Sequence, residues 1–249
     1  MKLIFGLHAV KALLDYQEAS NIQEVIFVSG KLNSRLASLL DLAKAKNISI
    51  SRLTIKELDK KSSGHRHQGV IALGYQQNLS KNSVSSIDLF SLLEDLTKPA
   101  LLLILDNIQD PHNLGACLRT ANAAGVDAVI APKDKSVGIT PVVSKVASGA
   151  DQVTPFYQVT NLARTLDQLK DLGIWILGAA GEGEAELYQQ DFTGSVAVVM
   201  GNEGQGLRRL TKDKCDDIFK IPMLGSVESL NVSVAAAVCL YEVVRQRNI

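Results

Sequence analysis

The chain has 249 residues, of which 46% are hydrophobic and 21% charged, as expected for a globular protein with a substantial core. Its 26 basic and 26 acidic side chains cancel to a net charge of zero. No apolar run reaches the length of a membrane span, and the first residues lack a signal-peptide cleavage pattern, so we expect a cytoplasmic protein without a membrane partner.

The first 76 residues predict a small α/β domain in which helices and strands alternate. The spacing of the apolar residues Val10, Leu13 and Leu14 favours an early helix. This domain holds 11 Lys and Arg against 6 Asp and Glu, so it is the part of the chain that a polyanion would meet first. The expected elements are helices at 3–17, 33–46 and 54–62 and strands at 24–30, 48–53 and 69–75.

Residues 77–98 begin rich in Ser, Asn and Gln and predict a linker that runs into a short helix. From residue 99 onward the pattern predicts a mostly parallel sheet with helices on both faces, beginning with the apolar run at 101–105, which is typical of a fully buried strand. Helices are expected at 113–124, 141–149, 161–172 and 229–247, and strands at 126–131, 153–157, 173–178, 195–200 and 217–221. We therefore expect an α/β protein with domains at 1–76 and 99–249.

Three loops of the second domain, at 106–120, 201–207 and 221–237, are rich in glycine and polar residues. Each follows a predicted strand, and in an α/β sheet such loops lie at the carboxyl ends of strands, where ligands usually bind. We therefore expect the three loops to form one site.

The first of these loops, DNIQDPHNLGACLRT, leads into a helix of small residues. Asn113 stands at the expected helix start, where its side chain could cap the helix, and Gly115 would let another group approach closely. A lone arginine such as Arg119 is more often a solvated surface charge. The small neighbouring residues nevertheless favour a tightly packed helix whose Arg119 points into a cleft.

The second loop, GNEGQGL, could wrap a cofactor with backbone groups, although a simple turn would use the same glycines. It is neither a Walker A motif nor a GxGxxG motif. Glu203 would repel a phosphate, which favours a ligand without phosphate or a role in orienting Arg119. The similar GAAGEG at 178–183 is followed by glutamates, and we interpret it as a plain loop.

The third loop, IPMLGSVESLNVSVAAA, places polar residues at the mouth of an otherwise apolar helix. Simple N-capping by Ser226 or Ser229 would explain one serine. It would not explain the whole run of Ser229, Asn231 and Ser233.

A basic segment at 51–70 of the first domain is open to two interpretations, a solvated face or a contact surface for the RNA backbone. His65 and His67 lack nearby Cys or carboxylate ligands, so we expect no metal there. The three cysteines are odd in number and widely spaced, which argues against a disulfide framework and a zinc site. The basic and histidine side chains of the segment are Arg52, Lys56, Lys60, Lys61, His65, Arg66 and His67.

Taken together, these segments resemble the signature motifs of the SpoU (TrmH-like) RNA 2'-O-ribose methyltransferases of the SPOUT superfamily. DPHNLGACLRTANAAGV, VMGNEGQGL and IPMLGSVESLNVSVAAAVCLYEVVRQR resemble the three motifs of that family's catalytic domain. IFGLHAVKALL and HQGVIAL resemble its substrate-binding domain. The resemblance spans the whole chain, and the combination is far more specific than any single loop.

The resemblance implies a fold, a reaction and a set of partners. The first domain would be similar to L30e-type ribosomal RNA-binding proteins, and the second would carry a deep trefoil knot, which is an exception to the general absence of knots. The reaction would transfer a methyl group from S-adenosylmethionine to a ribose 2'-OH of RNA, with a guanosine of 23S rRNA as the expected target. The resemblance also implies a homodimer with the active site beside the subunit interface, and no metal.

The resemblance also implies roles for individual residues. Because a guanidinium is essentially always protonated, we expect Arg119 to hold the RNA phosphate and stabilise the developing alkoxide, while the proton leaves to another group or to water. Its catalytic companions would be Asn113, Glu203, Ser229 and Asn231. The cofactor set would be Gly201, Ile221 and Leu230 with Met200, Met223 and Ser229 nearby, and the RNA-binding set Arg52, Lys60, Lys61, His65 and Arg66.

Two alternatives stay open. A sister methyltransferase that acts on tRNA, or on a ribosomal site that confers antibiotic resistance, would carry the same catalytic motifs. A non-catalytic RNA-binding protein that aids ribosome assembly could keep the same fold, although the intact Asn113, Arg119, Glu203 and Asn231 speak against it.

Overall fold

The computed structural model describes residues 2–16, 22–64, 67–74, 88–202, 204 and 206–248. The chain divides into two compact units. The first comprises Met1–Ser86 together with Ser148–Val153, and the second comprises Ile87–Ala147 and Thr154–Ile249. In the part of the chain that the structure describes, no helix combines the length and the apolar character that crossing a membrane requires.

The first unit contains a four-stranded sheet in the order β1-β4-β2-β3. Strand β4 runs antiparallel to both of its neighbours, whereas β2 and β3 are parallel. The strands are β1 (Lys2–Phe5), β2 (Ile22–Val28), β3 (Ser49–Leu53) and β4 (Val70–Gly74), and the helices are α1 (Leu7–Tyr16), α2 (Ser34–Ala45) and α3 (Ile55–Ser62).

The expectation of one helix over 3–17 is wrong at its start. Residues Lys2–Phe5 form strand β1 along β4, and Gly6, with φ +91°, turns the chain into α1. A four-residue strand is too short for apolar periodicity to reveal, and its pairing with distant β4 decides the outcome. The apolar face of α1 is buried as predicted, and Thr54 caps α3 in a capping box with Glu57.

The second unit is built on a seven-stranded sheet in the order β7-β6-β5-β10-β8-β11-β9, in which every neighbouring pair is parallel. Its strands are β5 (Leu101–Leu105), β6 (Ala128–Pro132), β7 (Phe156–Val159), β8 (Trp175–Ala179), β9 (Ala185–Glu186), β10 (Val196–Met200) and β11 (Asp217–Lys220). Its helices are α4 (Leu89–Glu94), α5 (Pro111–Ala123), α6 (Pro141–Ala147), α7 (Leu162–Asp171), α8 (Arg209–Lys212) and α9 (Val232–Arg247). The predicted α/β class with a mostly parallel sheet is confirmed.

Helices cover the sheet of the second unit, which is why its inner strand β5 is apolar at every position. Leu102 and Ile104 of β5 form one buried cluster with Leu93 of α4 and Leu166 of α7. The intervening Leu103 is equally buried, and α9 packs against β10 and α5. A strand without a solvent-facing side leaves no place for polar side chains until it ends.

The end of β5 therefore brings the first polar side chain of this region. Leu105 pairs with Met200, so β5 and β10 end side by side, and Asp106 continues the ladder by donating its backbone N–H to the carbonyl of Met200 at 2.8 Å. Parallel neighbours that end together place their following loops at one edge of the sheet. The loops after β5 and β10 are adjacent for this reason.

The glycine-rich segment at 178–183 has a packing role in addition to being a loop. A Cβ atom at Gly183 would lie 2.6 Å from the backbone carbonyl carbon of Phe219 in β11, so the two backbones touch there. Ala180 donates its N–H to the carbonyl of Phe219 at 2.9 Å. Close backbone approach, and not ligand binding, is sufficient to explain this glycine.

The end of α9 is anchored by one arginine. The Arg247 guanidinium donates to four backbone carbonyls, which belong to Pro99, Ala100, Phe192 and Gly194, at 2.6–3.0 Å. Burial lowers the pKa of this guanidinium from its ordinary value. The helix thereby joins the start of β5 to the segment that precedes β10.

Candidate functional site

The first and third motifs meet through two asparagines. Asn113 is buried in the first turn of α5, and its side-chain oxygen accepts a hydrogen bond from the side-chain amide of Asn231 at 3.1 Å. The helix begins at Pro111, and its N-cap is Asp110, which accepts from the backbone N–H of His112 at 2.9 Å. The expectation that Asn113 caps this helix is therefore wrong. Proline suits the first helical position, and the helix therefore begins two residues earlier in the chain than predicted.

Asn231 is the N-cap of α9. Its side-chain oxygen accepts from the backbone N–H of Ser233 at 3.0 Å and from the Ser233 hydroxyl at 2.6 Å, while its amide group reaches Asn113. Capping by Ser226 or Ser229 is therefore wrong, since both lie exposed in the loop before the helix. One asparagine can cap and bridge at once because its side chain both accepts and donates.

The loop at 201–207 folds back on itself so tightly that its first position has room only for glycine. A Cβ atom at Gly201 would lie 2.2 Å from the carbonyl carbon of Gly206. Asn202 and Gly206 exchange two backbone hydrogen bonds at 2.8 and 3.1 Å, and the Asn202 side chain accepts from the N–H of Gly204. The Asn202 amide group also donates to the carbonyl of Asn107, in the loop after β5, at 3.0 Å.

A buried ion pair joins the same two loops at a second point. The Asp106 side chain is fully buried, and one of its oxygens accepts from Arg208 Nε at 2.7 Å and lies 2.5 Å from Nη2. Its other oxygen accepts from the backbone N–H of Arg208 at 3.1 Å. Arg208 thus offers its guanidinium and its backbone N–H to the Asp106 carboxylate, a charge that would be costly to bury alone.

Arg119 lies on the exposed side of α5. Its helix is packed tightly, as expected, because Gly115 lies against Val143 and Val146 of α6 and Leu118 is fully buried. The expected cleft around Arg119 is not formed by the described residues of this chain, since the position after Leu118 turns toward solvent. Among those residues Arg119 makes no hydrogen bond or ion pair, so its guanidinium is available to a ligand or to a partner.

The proposed cofactor residues lie at the end of β10 and after β11, two strands that β8 separates in the sheet, and we refer to them together as the partly buried band. Met200 is buried at the end of β10, and Gly201, Ile221, Met223 and Leu230 are half-buried. Ser229 is exposed, and Glu203 lies outside the described residues. The band combines apolar side chains with the tight backbone turn at Gly201, which is the character expected of a pocket for a small organic ligand.

Two small cavities in the second unit lie away from this band. The larger, of about 250 Å³, is lined by residues that include Leu93, Lys98 and Ser195, and the smaller, of about 190 Å³, by residues that include Lys170 and Trp175. Both contain residues that precede strands, whereas the candidate residues follow strands. Neither cavity contains any residue of the three motifs.

The Arg and Lys side chains of the basic segment are exposed where the structure describes them. Arg52, Lys60 and Lys61 are exposed, and Arg52 donates to the carbonyl of Gly30 at 3.2 Å. His65 and Arg66 lie outside the described residues. His67 is buried; its Nδ1 accepts from the N–H of Gly69 at 3.0 Å, so its Nε2 carries the proton that is donated to Asp59 at 2.9 Å.

Sequence reasoning missed the Asp106–Arg208 pair and the Asn107–Asn202 contact. A charged residue directly after a fully apolar strand was the available signal for Asp106. The described residues contain no group of three or more His, Cys, Asp or Glu side chains that could hold a metal ion. Cys215 and Cys239 have thiol pKa values raised to about 12 by burial, so neither is a candidate nucleophile.

Two family models match this chain. The model of the SpoU rRNA Methylase family matches residues 100–241, and the model for RNA 2'-O ribose methyltransferase substrate binding matches residues 3–76. The 23S rRNA (guanosine-2'-O-)-methyltransferase RlmB of Coxiella burnetii is 51% identical over 248 residues, which cover 99% of this chain and 96% of that protein. The RlmB of Vibrio vulnificus is 51% identical over 247 residues, 99% of this chain and 97% of that protein.

Solved structures agree with this assignment. The SpoU methyltransferase AviRb from Streptomyces viridochromogenes, in complex with AdoMet, has a TM-score of 0.76 at 22% identity, covering 99% of this chain and 90% of that chain, which shows the fold alone. A crystal structure of an RNA 2'-O ribose methyltransferase has a TM-score of 0.75 at 27% identity, covering 99% and 89%. The resemblance of the three motifs, the matched family models and the relatives of half-identical sequence lead to one conclusion: the chain belongs to the SpoU rRNA methylase family.

Proposed function

We propose that the protein methylates the ribose 2'-OH of a guanosine in 23S rRNA and takes the methyl group from S-adenosylmethionine. Two relatives, each 51% identical to this chain, are named 23S rRNA (guanosine-2'-O-)-methyltransferases. The observation that carries the proposal is the hydrogen bond between Asn113 and Asn231, because it joins the helix of Arg119 to the start of α9 in the third motif. The loop at 201–207 joins the same edge through Asn107.

The residues of the partly buried band fit S-adenosylmethionine. Gly201, whose Cβ position is filled by backbone, provides a surface of peptide groups, and Met200, Ile221, Met223 and Leu230 provide apolar contacts. Backbone donors and acceptors suit an adenine edge, and apolar side chains suit its faces. When bound, the cofactor supplies a sulfonium methyl group that is open to attack by an oxygen nucleophile.

The ribose hydroxyl is a weak nucleophile and must lose its proton as its oxygen bonds to the methyl carbon. Arg119 is exposed and unpaired among the described residues, so it can hold the RNA backbone and place positive charge beside the developing alkoxide. Its guanidinium stays protonated, and the hydroxyl proton therefore passes to another group or to water. Asn113, Asn231, Ser229 and Glu203 would orient Arg119 and the ribose.

The first unit would deliver the RNA. Its exposed Arg52, Lys60 and Lys61 present positive charge without buried partners, which suits contact with phosphate groups. We assign residues 1–76 to an RNA-binding domain similar to L30e-type proteins and 99–249 to the catalytic domain, joined by the linker 77–98. Membership of the family also implies a trefoil knot in the catalytic domain, and a cytoplasmic location would place the enzyme with its substrate.

A second copy of this chain is the proposed partner of α9. Val234 and Tyr241, seven residues apart on one face of the helix, are 48% and 52% exposed, and Leu224 and Val227 are exposed in the preceding loop. An apolar face beside the site suits a homodimer whose interface borders on catalysis. Light scattering should show a dimer for the wild type and a monomer for Tyr241→Asp; a monomeric wild type would contradict this part of the proposal.

The test is transfer of labelled methyl from S-adenosylmethionine to 23S rRNA by the purified protein, followed by mapping of the methylated ribose. Mapping of 2'-O-methyl groups in rRNA from cells with and without the gene would identify the nucleotide. Methylation of tRNA alone, or of a resistance site alone, would favour a sister enzyme. Calorimetry that shows no cofactor binding would favour a non-catalytic RNA-binding protein.

A further inference from the structure

The loop at 201–207 is held to the loop after β5 at both of its ends. At its start, the Asn202 amide group donates to the carbonyl of Asn107. At its end, Arg208 donates its backbone N–H and its guanidinium to Asp106. Asp106 and Asn107 are neighbours in the chain. The two ends of the glycine-rich loop are therefore hydrogen-bonded to consecutive residues of one other loop.

The geometry at Asp106 is specific to arginine. The carboxylate is fully buried and receives the Nε and Nη2 groups on one oxygen and the backbone N–H of Arg208 on the other. A lysine at position 208 would keep the charge but could not present two side-chain donors in a fixed plane. The Arg208 side chain is 39% exposed, so only the carboxylate end of the pair is fully buried.

We propose that Asp106 and Arg208 are positioning residues that hold the loop at 201–207 in the conformation that binds the cofactor. The inference rests on the proposed function, because it takes this loop as part of the S-adenosylmethionine pocket. Neither residue needs to touch the cofactor. If the pair is weakened, the loop spends less time in the binding conformation, and the apparent dissociation constant rises by the inverse of the fraction that remains competent.

A matched control exists at the other end of the same unit. Glu242 is 5% exposed and accepts from Arg245 Nε and Nη2 at 2.8 and 2.7 Å, so it forms a pair of the same chemical kind. It lies on α9 near Arg247, far along the helix from Asn231. Loss of the Glu242–Arg245 pair should lower the melting temperature without changing the affinity for S-adenosylmethionine. Loss of the Asp106–Arg208 pair should lower both the melting temperature and that affinity.

The experiment compares full-length wild type, Arg208→Lys, Asp106→Asn and the control Glu242→Gln. Titration calorimetry with S-adenosylmethionine should show a dissociation constant about 10-fold higher for Arg208→Lys and unchanged for Glu242→Gln, as expected when the competent fraction falls to roughly a tenth. In methyl transfer by Arg208→Lys, KM for the cofactor should rise together with the dissociation constant, while kcat at saturating cofactor stays within about twofold of wild type.

Hydrogen exchange without cofactor gives a readout that does not depend on activity. The N–H groups of Gly206 and Arg208, which are bonded to Asn202 and Asp106, should exchange faster in Arg208→Lys and at the wild-type rate in Glu242→Gln. Equal cofactor affinity in all four proteins would overturn the inference while leaving the proposed function intact. If wild type binds no S-adenosylmethionine, the proposed function fails. Separately, an unchanged hydrogen-exchange rate in Arg208→Lys would overturn the role of the Asp106–Arg208 pair.

If Asp106→Asn does not fold, Arg208→Lys decides the matter, because it retains the positive charge that the buried carboxylate requires. Arg208→Ala provides the stronger form of the same test. Its affinity should fall further than that of Arg208→Lys, and a ranking in the opposite order would overturn the inference.

Discussion

The side-chain amide of Asn231 donates a hydrogen bond to the side-chain oxygen of Asn113, which is 118 residues earlier in the chain. The same Asn231 oxygen that caps α9 also accepts the Ser233 hydroxyl. One residue therefore starts the last helix and ties it to the helix that carries Arg119.

Asn231→Ser should separate these two roles. Serine can still cap the helix but has no amide group for Asn113, so stability should fall by about 1 kcal/mol, against about 2 kcal/mol for Asn231→Ala, which loses both. Urea unfolding measures the two differences. Ser226→Ala, in the exposed loop before the helix, is the control and should stay within about 0.5 kcal/mol of wild type. Equal losses for Ser and Ala at position 231 would contradict the bridging role.

Arg119→Ala should separate chemistry from folding. Because the side chain is exposed and makes no ion pair among the described residues, stability should change by less than about 0.5 kcal/mol. Single-turnover methyl transfer should fall by about 10²- to 10³-fold, as when a group that stabilises a developing oxyanion is removed, while calorimetry shows cofactor binding unchanged. Arg164→Ala, exposed on α7, should transfer methyl groups at the wild-type rate. Full activity in Arg119→Ala would remove this residue from the mechanism.

Gly201→Ala should damage the loop at 201–207, which we propose binds the cofactor, whereas Gly204→Ala should not. The added Cβ at position 201 would lie 2.2 Å from backbone, which cannot yield as a side chain can, and overpacking of this kind costs about 1–3 kcal/mol. At position 204 the nearest atom is a side-chain oxygen 3.7 Å away. Calorimetry with S-adenosylmethionine should show loss of binding only for Gly201→Ala. Similar affinities for the two variants would show that the loop does not form the pocket.

The buried thiols should make the protein less stable in alkali. Burial raises the pKa of Cys215 and Cys239 to about 12 in the folded chain, against 9.0 for an ordinary thiol. Between these values the unfolded chain has released protons that the folded chain keeps, so stability is fully present below pH 9 and falls as pH rises toward 12. Urea midpoints at pH 8–10.5 measure the slope, at most about 1.4 kcal/mol per pH unit per thiol. The slope should decrease in a Cys215→Ala, Cys239→Ala double variant.

Arg247→Lys should loosen the end of α9. Lysine keeps the positive charge but carries its donors on a single nitrogen, which cannot reach four carbonyls from two segments. We expect a loss of about 2 kcal/mol in the free energy of unfolding, in the range for hydrogen bonds to charged groups. Arg209→Lys, where the side chain is 95% exposed, is the control and should be neutral. A neutral Arg247→Lys would mean that water replaces these contacts at little cost.

Local pattern predicted the elements of this fold better than it predicted their ends. The apolar run at 101–105 allowed strand β5 to be recognised, and Thr54 marked the start of α3. The pattern includes residues 3–5 in a helix because nothing local distinguishes the short strand Lys2–Phe5, which is defined by its pairing with distant β4. The pattern starts α5 at Asn113 because it offers two plausible caps, and only the structure shows that Asp110 is the cap and Pro111 the first helical residue.

The candidate site was likewise predictable only in part from the sequence. The three loops were recognisable because glycine and polar residues interrupt apolar strands. Their partners were not, because β10 lies beside β5 although about 90 residues separate them, and no periodicity encodes that neighbour. Asp106 and Arg208 meet only as a result of this strand order, so their pairing could not be read from spacing.

The tight turn at Gly201 has a consequence for inhibitor design. A compound that hydrogen-bonds to the peptide groups of this turn would meet a surface made of backbone, where a side chain has no room to enter. On the proposed function, resistance through substitution of Gly201 itself would then carry the cost of reshaping the loop, and a compound that contacts only the backbone of this turn would leave the proposed site few ways to evade it.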